Sequence, residues 1–238
     1  MASTFTVQNS IDWSEPFLRF MPLDIGIGNE PSLSNANIVK QIILGAPFCW
    51  RWNRAAAGSF ATVAGTQDYT RPLADFGFLE KASLTTATET FEVPVTNGIL
   101  GASADRSRPE HIATQMDDNA GNITFRFVNN PDQAYSIGLI YQKKPSLITL
   151  LSQTWSPIPD EYSFVYNQGF LAFSAIYADD PRWAIAFQRF LASLVGVSEG
   201  LDETQKSAFV EGWLSVMMQS QSVQQKTNIG SVSRTTLK

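Results

Sequence analysis

The sequence changes its period twice, and those two changes constrain the fold more than any other feature. A run with helical spacing comes first, capped by Ser34 or Asn35, with Ile38, Ile42 and Gly45 in register and Val39 and Ile43 widening the stripe. Short β-rich segments follow at 59–63, 67–71, 78–84, 90–95, 123–128 and 135–142. After Pro157 and Pro159 the helical period returns, with Tyr162, Val165, Tyr166, Phe170, Phe173 and Tyr177 spaced by three or four. The first helix therefore has no helical neighbour in sequence and must pack on helices beyond the β block. The pattern predicts an α+β fold: a helical bundle of one N-terminal helix plus C-terminal helices, with an inserted antiparallel β domain.

The same pattern sets the expected boundaries. Residues 1–31, with Pro16, Pro22, Pro31, Gly26 and Gly28, read as an extended N-terminal arm with little regular structure. Residues 32–57 and 155–219 form the bundle, 58–154 the β domain and 220–238 a C-terminal tail. Alternation is cleanest where Ile123, Phe125 and Phe127 oppose Thr124 and Arg126. The turn candidates Asn129-Asn130-Pro131-Asp132 follow, then Ile137, Leu139 and Tyr141, which predicts a hairpin. Residues 98–121 have weak periodicity and read as an exposed connection. Asp180 before Pro181 marks the start of a helix through Trp183, Phe187, Phe190, Leu191 and Leu194 to Gly196. Asp202 and Gln205 resemble a capping box for another, with Phe209, Trp213, Val216 and Met217, ending near Gln219. The tail is polar, lacks acids and carries Lys226, Arg234 and Lys238, as suits a free or partner-bound end.

Composition narrows the function classes. Charged residues make up only 16% of the chain while Phe and Trp are abundant, a balance that suits buried contacts between subunits. The net charge of -5 argues against general electrostatic capture of nucleic acid. The single cysteine, Cys49, excludes an intrachain disulfide and a Cys-based zinc cage, and reads as a buried thiol. No window approaches a membrane-spanning run and the first residues do not resemble a secretion signal, so a soluble, unprocessed protein with no membrane partner is expected.

Catalysis is hard to build from these residues. His111 is the sole imidazole and sits in the expected connection without a nucleophile motif, so the chain does not read as an enzyme. In Asp117-Asp118, Asp160-Glu161 and Asp179-Asp180 adjacent side chains point apart, and the last two pairs fall where helix caps belong, which favours capping over metal binding. Gly26-Ile27-Gly28 lacks the third glycine of a dinucleotide cradle and reads as a tight bend. Asn122-Ile123-Thr124 matches a glycosylation acceptor by chance at the start of a strand. No metal or cofactor is expected. The one concentrated feature is 48–54, where Phe48, Trp50 and Trp52 share a face of an extended segment while Arg51 and Arg54 project elsewhere. As a structural element it fills the junction between helices and sheet, its arginines meeting carboxylates or a neighbouring subunit. Stacking on nucleic-acid bases would need a wider basic surface.

Four phrases in this order resemble the head-to-tail adaptor (connector or tail tubular) proteins of tailed bacteriophages. They are Pro47-Phe48-Cys49-Trp50-Arg51-Trp52-Asn53-Arg54, Ala64-Gly65-Thr66-Gln67-Asp68-Tyr69, Tyr141-Gln142-Lys143-Lys144-Pro145 and Trp155-Ser156-Pro157-Ile158-Pro159-Asp160-Glu161. The resemblance spans about residues 33–217. It implies a structural virion protein of the neck, assembled in the host cytoplasm as a homo-oligomeric ring, a dodecamer. Such a ring lies between the portal protein and tail or nozzle proteins, around a channel that DNA crosses without sequence-specific binding. Such adaptors grip the portal with a terminal segment, and residues 220–238 match that role by position, with Lys226, Arg234 and Lys238 as candidate contacts. The chain departs from the pattern in its longer, proline-rich arm and in 98–121, which reads as an insertion. The alternative is a virion-associated receptor- or carbohydrate-binding β module, which would expose aromatic residues on its β face.

Overall fold

The computed structural model describes residues 3–18 and 29–232, with side chains as far as Met217. Helix α1, Val7–Ser14, is opened by a reciprocal cap in which Thr6 N–H donates to Asn9 Oδ1 at 2.8 Å and Asn9 N–H to Thr6 Oγ1 at 3.2 Å. It buries Val7, Ser10, Ile11 and Ser14. This helix overturns the expectation of an irregular arm, and two serines among its four buried positions explain why no apolar stripe announced it. The bend expected at Gly26 and Gly28 lies outside the described residues.

Helix α2 spans Ser32–Leu44, starting two residues ahead of the earlier of the two expected caps. Its buried face is Leu33, Ala36, Val39, Ile43 and Leu44, so the stripe is turned by about one residue from the Ile38/Ile42 register, and Ile38 is exposed. Polar side chains on the inner face disguise it: Asn35 Nδ2 donates to Ser174 Oγ at 3.3 Å, and Lys40 is also buried.

Nine strands follow: β1 Arg54–Ala61, β2 Asp68–Pro72, β3 Phe76–Thr85, β4 Thr90–Val93, β5 Arg106–Ser107, β6 Ile112–Asp117, β7 Asn122–Phe127, β8 Asn130–Pro131 and β9 Ser136–Lys143. One antiparallel sheet runs β1-β9-β3-β4 and a second β2-β7-β6, while β5 and β8 form a short parallel pair. The predicted hairpin does not form. β7 lies between β2 and β6, and β9 between β1 and β3, so each already has both edges paired. The chain between them instead crosses from one sheet to the other. Ile123, Phe125 and Phe127 meet Ile137, Leu139 and Tyr141 across a shared core rather than as cross-strand neighbours. Residues 98–121 also depart from expectation, because β5 and β6 lie within them and Ile112 and Ala113 are fully buried. Two adjacent buried residues break the alternation that would have marked β6 as a strand.

Three helices complete the described residues: α3 Ser163–Tyr177, α4 Trp183–Val197 and α5 Glu203–Val232. Asp180 Oδ1 accepts the Arg182 N–H at 2.8 Å ahead of α4. At α5, Gln205 N–H donates to Asp202 Oδ1 at 2.8 Å and Asp202 N–H to Gln205 Oε1 at 3.1 Å. α5 runs well past its expected end near Gln219, since residues 220–232 contain no proline and one glycine is tolerated in a helix. A second core joins α1–α4, with Val39, Phe170, Phe187, Phe190 and Trp155 among its buried members. Inside it Trp155 Nε1 donates to Ser10 Oγ at 2.9 Å and Ser10 Oγ to Asn167 Oδ1 at 2.7 Å, tying α1 to α3. The fold is α+β.

Candidate functional site

The segment after α2 lies where the helical core meets the first sheet. Phe48 and Trp50 are buried and Trp52 half-buried. Their rings stack in sequence, Phe48 on Trp50 at 5.9 Å and Trp50 on Trp52 at 5.4 Å between centroids. Tyr162 abuts both tryptophans and Phe209 of α5 meets Phe48 edge-on at 4.8 Å. The chain can hold this ladder because it is extended up to Trp50 and then turns tightly at Arg51–Asn53. Trp50 Nε1 donates to the Ile43 carbonyl at 2.6 Å, satisfying an acceptor in the last turn of α2.

On the sheet side, Arg54 Nε donates to Glu80 Oε2 at 2.8 Å and its Nη2 contacts the other carboxylate oxygen, a two-point pair. Gln142 Nε2 donates to Glu80 Oε2 at 2.7 Å and to the Trp50 carbonyl at 3.2 Å, while Asn53 Nδ2 reaches the Lys143 carbonyl at 2.9 Å. The Glu80 side chain is only 5% exposed. Arg51 is different: its Nε meets Glu199 Oε2 at 2.8 Å between α4 and α5, with both side chains largely in water.

Below the ladder is a cleft of about 530 Å³ whose walls include Pro47, Cys49, Phe78, Glu80, Leu201 and Gln205. Cys49 is half-buried rather than fully buried, because it faces this opening. Burial and the nearby Glu80 carboxylate push its thiol up, so it stays protonated at neutral pH. This surface offers stacked rings and paired charges, which serve cohesion and contact.

The other sequence candidates lie apart from it. His111 Nδ1 is within 3.3 Å of Thr96 Oγ1 on an exposed surface. Asp117 and Asp118 accept backbone N–H groups of the turn at Asn119, Ala120 and Asn122. Asp160 is not a helix cap: it accepts from Ser3 Oγ at 2.7 Å, Thr4 N at 3.0 Å, Thr4 Oγ1 at 2.6 Å and Phe5 N at 3.2 Å. Those donors, led by Thr4 and Ser3, hold its carboxyl well below the usual carboxylate range. Among the described residues no cluster of His, Cys, Asp and Glu could hold a metal, and no helix is long and apolar enough to cross a membrane. Lys226 lies on the α5 backbone beyond the described side chains, and Arg234 and Lys238 lie outside the described residues.

The junction, the two sheets and helices α3 and α4 all fall inside one matched span. The family model described as SU10 adaptor protein matches residues 40–209. The chain belongs to the SU10 adaptor family. No curated protein matches it. As a member of that family it is a structural bacteriophage adaptor, a component of the virion that works by contact with other phage structural proteins.

Several residues of the SU10 adaptor junction escaped sequence reasoning. Glu80, Gln142, Tyr162, Phe209 and Glu199 come from five different parts of the chain. Only Glu80 carried a signal, as the one acid of strand β3, next to a register shift between Leu79 and Lys81.

Proposed function

We propose that the protein is the head-to-tail adaptor of its phage: copies form a ring between the portal and the tail or nozzle proteins, around the channel that DNA crosses. The observation that carries this reading is the family match over 40–209, which takes in α3, α4, all nine strands and part of both α2 and α5. The number of copies is taken as twelve from the family resemblance, and assembly would take place in the host cytoplasm.

Within that reading the C-terminus grips the portal. Phe209, Val210, Trp213, Leu214 and Met217 pack α5 on the bundle core. The helix backbone continues to Val232, which at 1.5 Å per residue is roughly 22 Å past Met217. That reach, with Lys226 on it and Arg234 and Lys238 after it in sequence, supports a docking role for 220–238. The two separate cores support a division of labour in which the helical domain, drawn at 32–57 and 155–219 although β1 already starts at Arg54, holds the ring and the β domain, drawn at 58–154, faces the tail. The exposed Arg51–Glu199 pair is placed to exchange partners with a neighbouring subunit. The net charge of -5 supports a channel that DNA slides through without adhering.

The test is a native mass measurement of the protein alone and mixed with its portal. A ring-sized complex that forms with the full chain and is lost on deleting 220–238, with the fold unchanged, is the expected result. Undiminished joining by the truncated chain would remove the gripping role, and no complex with the full chain would remove the adaptor position. A ring whose lumen is covered by arginines would contradict the repulsive channel.

A further inference from the structure

Lys40 is the buried cation of α2, 2% exposed. Its Nζ donates to Ser146 Oγ at 3.1 Å, and it forms no ion pair with any described residue. An ammonium has three donors, so one hydroxyl leaves two unused. Lysines are almost never fully buried unless paired, because removing the charge from water without a counter-charge is strongly unfavourable. Desolvation alone pushes this ammonium down to about 8, and no acidic side chain offsets it.

The ammonium borders a cavity of about 200 Å³ whose wall is completed by Ser146, Gln153, Thr154 and Ser156 with Leu147 and Ile148. Every polar side chain in that wall can donate. Ser146 Oγ accepts from Lys40, which leaves its own proton for another acceptor. Gln153 Oε1 accepts from Thr149 N at 2.6 Å and Leu150 N at 3.1 Å, so the NH₂ end of the amide is the end left over. The wall contains no carboxylate. The loop itself is held in place, since Val7 N–H donates to the Gln153 carbonyl at 3.1 Å and Gln8 N–H to the Leu151 carbonyl at 3.0 Å.

We propose that this cavity is a receptor for a single carboxylate, gripped by Lys40 Nζ and by the hydroxyls of Ser146, Thr154 and Ser156. One cation matches one negative charge, whereas a phosphate dianion would be left half-neutralised. The carboxylate can belong to an acidic side chain of a neighbouring protein chain or to a free small acid. The rim favours the first, because Leu147 and Leu150 stand 66% and 55% exposed on the same loop, the apolar surround of a protein contact.

The test is an NMR pH titration of the full chain with ¹³Cε-labelled lysine in chloride buffer, with acetate as the probe. The Lys40 signal is assigned by its loss in Lys40→Arg, or by its perturbation in Ser146→Ala should the first variant fail to fold. Acetate is expected to raise the Lys40 midpoint by about one unit and leave the other lysines unmoved. Thr154→Ala and Ser156→Ala should weaken that response several-fold. A Lys40 midpoint unmoved by saturating acetate overturns the proposal, and a response to phosphate in place of acetate overturns the carboxylate assignment. Without acetate, a midpoint that rises with protein concentration identifies a second copy of this chain as the source. A concentration-independent midpoint that still responds to acetate supports the receptor and removes the second copy as the source.

Discussion

Arg54 of β1 and Glu80 of β3 close a two-point ion pair across the intervening strand β9, whose Gln142 donates to the same carboxylate at 2.7 Å. Arg54 and Gln142 are also register partners, so the strand that enters the sheet and the strand that leaves it are fastened at one point. Glu80→Ala removes the acceptor of three hydrogen bonds and leaves the Gln142 amide without its main partner. The expected cost is about 2 kcal/mol, scaled down from a fully buried pair because Arg54 is partly in water. Urea unfolding of the variant reads this as a lower midpoint at unchanged slope. A midpoint within error of the parent would show that the pair contributes nothing.

Asp160 gives the N-terminal segment its acid sensitivity. Its carboxyl is held below the ordinary value, so the folded state gives up the proton at lower pH than the unfolded chain does. The stabilisation is therefore complete above pH about 4 and is lost as the pH falls from there through the folded value. Protection factors of the Thr4 and Phe5 amides, whose N–H groups donate to it, should fall over that range. In Asp160→Asn they should be low already at neutral pH. Equal protection in the variant would rule out the clamp.

Gly169 of α3 sits tightly between side chains of α2 and α4. A Cβ there would lie 2.7 Å from Val39 Cγ1 and 2.8 Å from Phe190 Cε2. Alanine gains about 1 kcal/mol of helix propensity, yet overpacking a tight core costs about 1–3 kcal/mol. Gly169→Ala is expected to lose about 1 kcal/mol net, and Val39→Ala added to it should recover only part, because the Phe190 contact remains. Calorimetry showing a more stable single variant would mean that the helices part freely.

Lys40→Met keeps the stem and removes the charge. In carboxylate-free buffer at pH 7 the variant should be more stable by on the order of 2 kcal/mol. The folded value near 8 lies below the ordinary lysine value of 10.5, so the unfolded chain binds more protons between them. Parent stability therefore rises with pH across that window, and the advantage of Lys40→Met fades by its upper end. Denaturation series at pH 7, 9 and 10.5 check the sign, and an advantage that does not shrink would contradict it.

The helical and β blocks were legible because their periods are long and apolar, as in Tyr166, Phe170 and Phe173 or Ile123, Phe125 and Phe127. The Asp202 cap was equally readable, since local hydrogen bonds need only local residues. Tertiary choices were not. Which strand β7 pairs with depends on whether its edges are already taken by β2 and β6, and the sequence between β7 and β9 suits either a turn or a crossing. α1 stayed hidden behind buried serines, and the inner face of α2 behind Asn35 and Lys40. At the junction, the three rings and two arginines were visible because they all fall within the one short segment 48–54. Their partners Glu80, Tyr162 and Phe209 were not, because folding alone brings them there.

The packing of α2 on α3 sets an order of events during synthesis. α2 ends at Leu44 and α3 begins at Ser163, and the whole of both sheets lies between. While the ribosome makes those strands, Leu33, Ala36, Val39 and Ile43 have no α3 to cover them. The sheets, whose strand pairings all lie between Arg54 and Lys143, can close before the helical core exists. The nascent chain thus carries an uncovered apolar helix for about 120 residues at roughly 5–20 residues per second, a window of about 6–24 s in which chaperones or a neighbouring nascent chain could reach it.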